Sequence, residues 1–196
     1  MVGVDIDPVV LEAARSSMGL AGHIHGLTLI EAPAEAYLTQ ATSGSLSAAV
    51  VDLFDGNDAV LAALADPDGA LLCGLAHALD PECGVTLVNL HCPPSRSWSL
   101  LSPRGGGFDA ESPQGRFVKD VTRAMRAAGL TGEDGCCFAL KAQSQHNVCL
   151  VAMRGIGLTP ASADLVLQVG LERCGLLHAC MAALSSHGSP LLAWLP

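Results

Sequence analysis

Residues 2–15 of this chain are VGVDIDPVVLEAAR, a short apolar run that ends in an acid and continues into an amphipathic stretch. We predict a buried strand followed by a helix, since Pro8 suits the first helical position: its φ is already helical and its missing N–H would be unpaired there. Asp7 is placed to accept from the open amides of the first turn. Asp5 is left at the carboxyl end of the strand, where open α/β sheets bind ligands and an acid commonly holds a ribose hydroxyl.

The place of this stretch in the chain is unusual. In nucleotide-binding folds a glycine-rich turn lies roughly 20 residues before such an acid, whereas four residues precede Asp5 here. We therefore predict that the chain begins inside a nucleotide-binding domain, after its first strand and loop. Removal of a central strand leaves two strand edges without ladder partners. Such a chain should close its sheet with the remaining strands, pair with a second copy as a homodimer, or fold poorly.

Composition limits the classes of protein. The chain has 196 residues, of which half are hydrophobic, so it can bury a sizeable core and is not expected to be disordered. Its net charge of −9 disfavours a nucleic-acid partner, because phosphate neutralisation needs clustered Lys and Arg. No signal segment or apolar run of ~20 residues appears, so we predict no membrane partner and a cytoplasmic location. The eight cysteines include no C-x-x-C pair and are predicted to be buried, reduced thiols.

Strand-like and helix-like segments alternate along the chain, which favours a layered α/β sheet. Beyond the opening stretch we predict strands over 27–31, 46–53, 84–90, 136–141 and 147–153, helices over 33–40, 57–64, 69–79 and 114–128, a long loop over 93–113, and one long or two short helices within 160–185.

Three stretches resemble the class I S-adenosylmethionine-dependent methyltransferase superfamily, particularly its spermidine-synthase-like branch. VGVDIDPVVLEAAR (2–15) is similar to the nucleoside-binding acid with its strand and helix. AAVVDLFDGND (48–58) is similar to the fourth strand with its acidic exit, and LLCGLAHALDPECGVTLVNL (71–90) to the helix, turn and fifth strand. The resemblance implies a Rossmann-like methyltransferase sheet that lacks its first strand and Gly-rich loop over residues 1–155, followed by a helical C-terminal extension over 156–196.

The resemblance also implies a donor, S-adenosylmethionine or its decarboxylated form. Asp5 would bind the ribose hydroxyls with Ile6 beside it; the alternative is that Asp5 only caps the next helix. Where the family often has Gly-Asp-Ala, whose acid contacts the adenine amino group, this chain has Ala32-Pro33-Ala34. Pro33 cannot make that contact, so Glu31 or Glu35 is the candidate to replace it.

Asp52 and Asp55 lie at or just after the end of the strand predicted over 46–53. Transfer of a methyl or aminopropyl group needs a neutral nitrogen held close to the reacting carbon, and a carboxylate can steer an ammonium and accept its proton. By the resemblance, Asp52 matches the first acid of the Asp-x-x-Asp motif of the polyamine branch. The alternative is that Asp52, Asp55 and Asp58 only end the strand and cap the following helix.

Two further candidates come from the same region and from the histidines. Asn89, at the end of the next strand, either contacts substrate or ties down a loop. His23-x-His25 and His91-Cys92 have no further ligands at recognisable spacing, so no metal site is predicted.

The first functional hypothesis is a methyltransferase-like protein that acts on an amine of a protein or small molecule, with activity weakened by the missing loop. One alternative is a polyamine aminopropyltransferase that acts on a diamine. The other is a non-catalytic fragment or pseudoenzyme that works through protein contacts, which the missing loop and Pro33 favour.

Overall fold

The computed structural model describes residues 1–17, 26–53, 62–91, 113–141, 147–155 and 192–194, and these form a mixed α/β structure. In chain order the elements are β1 (Val2–Asp5), α1 (Pro8–Ser16), β2 (Thr28–Glu31), α2 (Ala34–Leu38), β3 (Ala48–Val51), a 3-10 helix (Ala62–Ala65), α3 (Ala70–Ala78), β4 (Val85–His91), α4 (Pro113–Ala127), β5 (Cys136–Lys141), β6 (Asn147–Met153) and β7 (Leu192–Trp194).

The opening stretch forms the predicted strand and helix, but the strand is not buried: Val2 is exposed, and the other residues of β1 are half-buried. β1 ends at Asp5 and α1 begins at Pro8. Asp7 is the N-cap, and its Oδ1 accepts from the backbone N of Val9 at 2.8 Å. Leu11 is the buried residue of α1 and turns the helix towards the strands. The strand and helix over 2–16 are therefore confirmed, together with the roles of Pro8 and Asp7.

The strands lie in two sheets among the described residues. β1 and β2 pair in parallel, and the larger sheet has the order β3-β4-β6-β5-β7. β3 and β4 are parallel, whereas β6 is antiparallel to both β4 and β5. Within the described ranges β1 and β3 are thus edge strands, each with a single ladder partner.

The main core lies on one face of the larger sheet. Val51 and Val88 of the parallel strands point into it, and α3 and α4 cover it with residues such as Leu72 and Met125. α2 joins the smaller sheet to this core, because it contacts β1 and also packs on α3. That packing is close: a Cβ on Gly74 would lie 2.8 Å from the Cβ of Leu38.

The end of the chain differs from the expectation. The extension over 156–196 was predicted to be helical, but its described residues, 192–194, form β7, which pairs antiparallel with β5. A three-residue strand gives too short a pattern to be recognised in sequence. The helices predicted within 160–185 and the loop predicted over 93–113 lie outside the described residues, as does the helix predicted over 57–64 except for residues 62–64.

The cysteine prediction is wrong in part. Cys136 and Cys137 are buried as expected, and burial raises the pKa of the Cys137 thiol to about 11. Cys73 and Cys83, however, are exposed free thiols. Both lie where local structure turns their side chains outward, on the solvent side of α3 and in the turn before β4.

Replacement of two buried threonines by valine is expected to change the free energy of unfolding in opposite directions. Thr86 of β4 is fully buried, and its Oγ1 has no hydrogen-bond partner. We expect Thr86→Val to raise the free energy of unfolding by about 1 kcal/mol, since a buried unsatisfied hydroxyl costs about that or more. Thr122 is also buried, and its Oγ1 donates to the Val118 carbonyl at 2.8 Å. Thr122→Val should therefore lower the free energy of unfolding by about 0.5–1.5 kcal/mol, because that hydrogen bond is lost. Urea unfolding of both variants measures the two signs, and a loss of stability in Thr86→Val would contradict the expectation.

Candidate functional site

A carboxylate that follows β3 lies beside an amide within the last three residues of β4. Val51 and Val88 are register partners in the parallel pair and are both buried, so the next residues, Asp52 and Asn89, emerge side by side at the end of the sheet. Asn89 Nδ2 donates to Asp52 Oδ1 at 2.8 Å. Asn89 is half-buried and Asp52 is exposed. One carboxylate oxygen is therefore held by the neighbouring strand while the side chain remains open to solvent.

The hydrogen bond gives Asn89 a contact that neither interpretation of this residue named. Its amide orients the carboxylate of Asp52, which lies 37 residues away along the chain. Sequence reasoning placed both residues at the ends of neighbouring strands but did not predict the contact. The signal was present in the parallel register, since the ends of parallel neighbours meet at one edge.

A pair of acidic residues lies at the carboxyl ends of β1 and β2. Asp5 and Glu31 are register partners in this parallel pair. Asp5 is half-buried, and its Oδ1 accepts from the backbone N of Asp7 at 2.8 Å. Glu31 is exposed, and the Ile6 side chain is 68% exposed. Asp5 thus supports the turn into α1 with one oxygen, and the other oxygen has no hydrogen-bond partner among the described residues.

The predicted site residues therefore form two groups. Asp52 joins Asn89, and Asp5 joins Glu31 with Ile6 alongside; no hydrogen bond or ion pair connects the groups within the described ranges. Asp55 lies outside the described residues.

One further side chain proposed for nucleoside contact, Glu35, belongs to α2. Pro33 is the N-cap position of this helix and makes no side-chain cap, and Glu35 lies in its first turn.

No group of three or more His, Cys, Asp and Glu side chains that could hold a metal ion occurs among the described residues. Of the metal candidates considered in the sequence, His23, His25 and Cys92 fall outside those residues. Nowhere in the described part of the chain is a helix both long enough and apolar enough to cross a membrane.

Comparison with known proteins gives a distant likeness. No family model matches the chain, and no curated protein matches it. Among solved structures, the crystal structure of a possible exported protein from Bordetella parapertussis has 16% identity and a TM-score of 0.47, covering 79% of this chain and 53% of that one. Spermidine synthase from Thermotoga maritima has 13% identity and a TM-score of 0.47, covering 78% of this chain and 43% of that one. The chain spans about half the length of these two proteins.

Proposed function

We propose that this protein is a methyltransferase-like enzyme that transfers a methyl group from S-adenosylmethionine to an amine of a protein or small molecule. The observation that carries the proposal is the Asp52 carboxylate, which stands exposed at the end of a parallel strand with one oxygen held by Asn89 at 2.8 Å. A fixed, solvent-open carboxylate at this edge suits the binding of an amine.

The chemistry requires a base and a positioned nitrogen. The nitrogen lone pair attacks the methyl carbon in line with the breaking carbon–sulfur bond, whose electrons return to sulfur and convert the sulfonium into a neutral thioether. The nitrogen must be neutral when it attacks, so an arriving ammonium has to lose a proton. Asp52 can bind the ammonium and accept that proton, while the Asn89 amide keeps the carboxylate in one orientation.

Asp5 is proposed to bind the donor. The Asp5 oxygen that has no hydrogen-bond partner among the described residues lies at the carboxyl end of β1, next to the exposed Glu31 at the end of β2. A carboxylate at such a strand end can accept a hydrogen bond from a ribose hydroxyl. The backbone N–H of Asp7 donates a hydrogen bond to the other oxygen and so fixes the orientation of the Asp5 carboxylate.

Aminopropyl transfer from decarboxylated S-adenosylmethionine is the second candidate. The exposed Asp52 and the net charge of −9 favour a dicationic acceptor such as a diamine. The attack on carbon is the same, so the donor and the acceptor distinguish the two reactions. Incubation with each labelled donor, and with either putrescine or a lysine-rich protein, assigns the reaction from the product that carries the label.

Donor binding is tested by calorimetric titration of S-adenosylmethionine and of its decarboxylated form. We expect the protein to bind one of them, and Asp5→Asn to raise the Kd about tenfold, because a hydrogen bond to a charged group contributes about 1.5–3 kcal/mol. Asp7→Asn is the matched control: it makes the same change two residues away, asparagine is an equally good N-cap, and the Kd should change less than twofold. If the unmodified protein binds neither donor, the proposed function is wrong.

A further inference from the structure

The hydrogen bond between Asp52 and Asn89 fixes which way the Asn89 amide faces. An ionised carboxylate has only acceptors, so the atom of Asn89 that meets Asp52 Oδ1 at 2.8 Å is the Nδ2 donor. The Asn89 carbonyl oxygen, Oδ1, is left as an acceptor beside the carboxylate. Neither Asn89 Oδ1 nor the second oxygen of Asp52 has a hydrogen-bond partner among the described residues.

Both acceptors are open to solvent. Asp52 is exposed, and Asn89 is half-buried. In the described part of the chain, Thr86 Oγ1 is the one buried side-chain nitrogen or oxygen without a hydrogen-bond partner, so Asn89 Oδ1, which also lacks a partner there, is reached by solvent. A ligand can therefore bind both oxygens without breaking the bond between the two side chains.

One nitrogen can reach both acceptors at once. The bond lengths of an amide place its oxygen and nitrogen about 2.2 Å apart, so Asn89 Oδ1 lies within about 5 Å of the Asp52 oxygen that Nδ2 contacts. A tetrahedral nitrogen that donates two hydrogen bonds of about 2.8 Å joins oxygens about 4.5 Å apart. An amine with two N–H groups therefore matches the pair, with one N–H directed at Asn89 Oδ1 and the other at the Asp52 carboxylate.

We propose that Asn89 restricts the acceptor to a primary amine and the reaction to a single transfer, a role that rests on the proposed function. A primary ammonium first gives one proton to Asp52. The neutral nitrogen then directs its lone pair at the methyl carbon and its two N–H groups at Asn89 Oδ1 and at the Asp52 carboxyl, which still has an acceptor when protonated. The carbon–nitrogen bond forms as the carbon–sulfur bond breaks, the positive charge passes from sulfur to nitrogen, and the proton on Asp52 leaves to solvent.

The product does not fit the same arrangement. A neutral secondary amine has one N–H and one methyl group beside its lone pair. When the lone pair faces a second donor, the methyl group lies against one of the two oxygens, which then loses its hydrogen-bond donor. We expect kcat/KM for a secondary amine to be about tenfold or more below that for the primary amine, because a site that offers a hydrogen bond discriminates against a group that cannot make it.

Turnover of butylamine and N-methylbutylamine with S-adenosylmethionine tests the limit to one transfer. The unmodified protein should prefer butylamine about tenfold or more in kcat/KM, and mass spectrometry should show one added methyl group. Asn89→Ala should bring the two kcat/KM values within about threefold of each other, because the methyl group then meets no acceptor. If Asn89 only orients Asp52, the variant slows both amines equally and keeps their ratio. That result, or a dimethylated main product from the unmodified protein, overturns the proposal.

Binding without a donor separates the role of Asn89 from the transfer reaction. Butylammonium and N,N-dimethylbutylammonium carry the same charge at pH 7, but the second has a single N–H. In nitrogen-15 NMR titrations followed at the backbone amides of Asp52 and Asn89, the Kd should be about tenfold lower for butylammonium, and Asn89→Ala should make the two Kd values nearly equal. Asp68→Asn, which removes an exposed acid outside the strand ends, is the control and should change neither Kd more than about twofold.

The two failures give different results. The role of Asn89 is overturned if butylammonium does not bind, or if the unmodified protein binds both ions equally, even where methyl transfer is observed. Absence of donor binding in the calorimetric titration refutes the transfer function instead, and the selection between the two ions is still read from the NMR titration.

Discussion

Arg154→Met is expected to lower the free energy of unfolding by about 3 kcal/mol or more, because three carbonyls lose hydrogen bonds to a charged group, each of which contributes about 1.5–3 kcal/mol. The side chain follows β6 and is 8% exposed. Its guanidinium donates to the carbonyls of Ala76 at 2.8 Å, Leu79 at 2.9 Å and Gly129 at 2.8 Å. Methionine keeps much of the apolar stem but leaves these carbonyls without their donor.

The position of the guanidinium explains the size of the effect. Ala76 and Leu79 belong to the last turn and the C-cap of α3, and Gly129 follows the end of α4 with φ +82°. A cation at the carboxyl ends of two helices satisfies their open carbonyls and interacts favourably with both helix dipoles. Burial lowers the pKa of Arg154, and the nearby Asp80 carboxylate opposes that effect.

The control for this variant is Arg123→Met. Arg123 is paired with Asp120 at 3.1 Å on the surface of α4, with side chains 77% and 53% exposed. Exposed pairs of this kind contribute about 0–1 kcal/mol, so the control should shift the urea midpoint little. Arg154→Lys should fall between the two, because one ammonium cannot reach three carbonyls of two helices. Equal losses for Arg154→Met and Arg123→Met would show that the buried guanidinium does not clamp the helices.

Local chemistry made much of the fold predictable. Pro8 and Asp7 set the start of α1 through a fixed φ and a side-chain cap, both of which act within a few residues. The apolar run at 84–90 likewise predicted β4 to within one residue at each end. These features depend on neighbours in sequence, so pattern and propensity are sufficient to find them.

Contacts between distant segments were not predictable in the same way. Arg154 is one basic residue after a strand, and nothing near it in sequence shows that it reaches Ala76 and Gly129. β7 is a strand only because β5 offers an edge to pair with. The Asn89–Asp52 hydrogen bond joins the ends of two strands that sequence located separately. In each case the partner is supplied by tertiary structure, which a single sequence does not display.

Asp52→Asn is expected to lower kcat of amine transfer by about 10²–10⁴-fold, the usual contribution of a positioned acid–base group. The change is nearly isosteric, and the new side-chain oxygen can still accept from Asn89, so the fold and the local hydrogen bond are kept while the charge is lost. Asp68→Asn is the control, since Asp68 is also exposed but lies outside the strand ends. The kcat of Asp68→Asn should stay within twofold of that of the unmodified protein. Both variants should have the same urea midpoint of unfolding as the unmodified protein.

The role of Asn89 follows from a double-mutant cycle on the same pair. Asn89→Ala frees the Asp52 carboxylate from the bond at 2.8 Å, so we expect kcat to fall about tenfold, because the carboxylate is no longer held in one orientation. In the Asp52→Asn background the same change should have almost no effect on kcat, since no base remains to be oriented. Asn89→Asp should not restore activity, because a second carboxylate cannot donate. If the losses of the single variants add in the double variant, the two side chains act independently and the candidate site is not a unit.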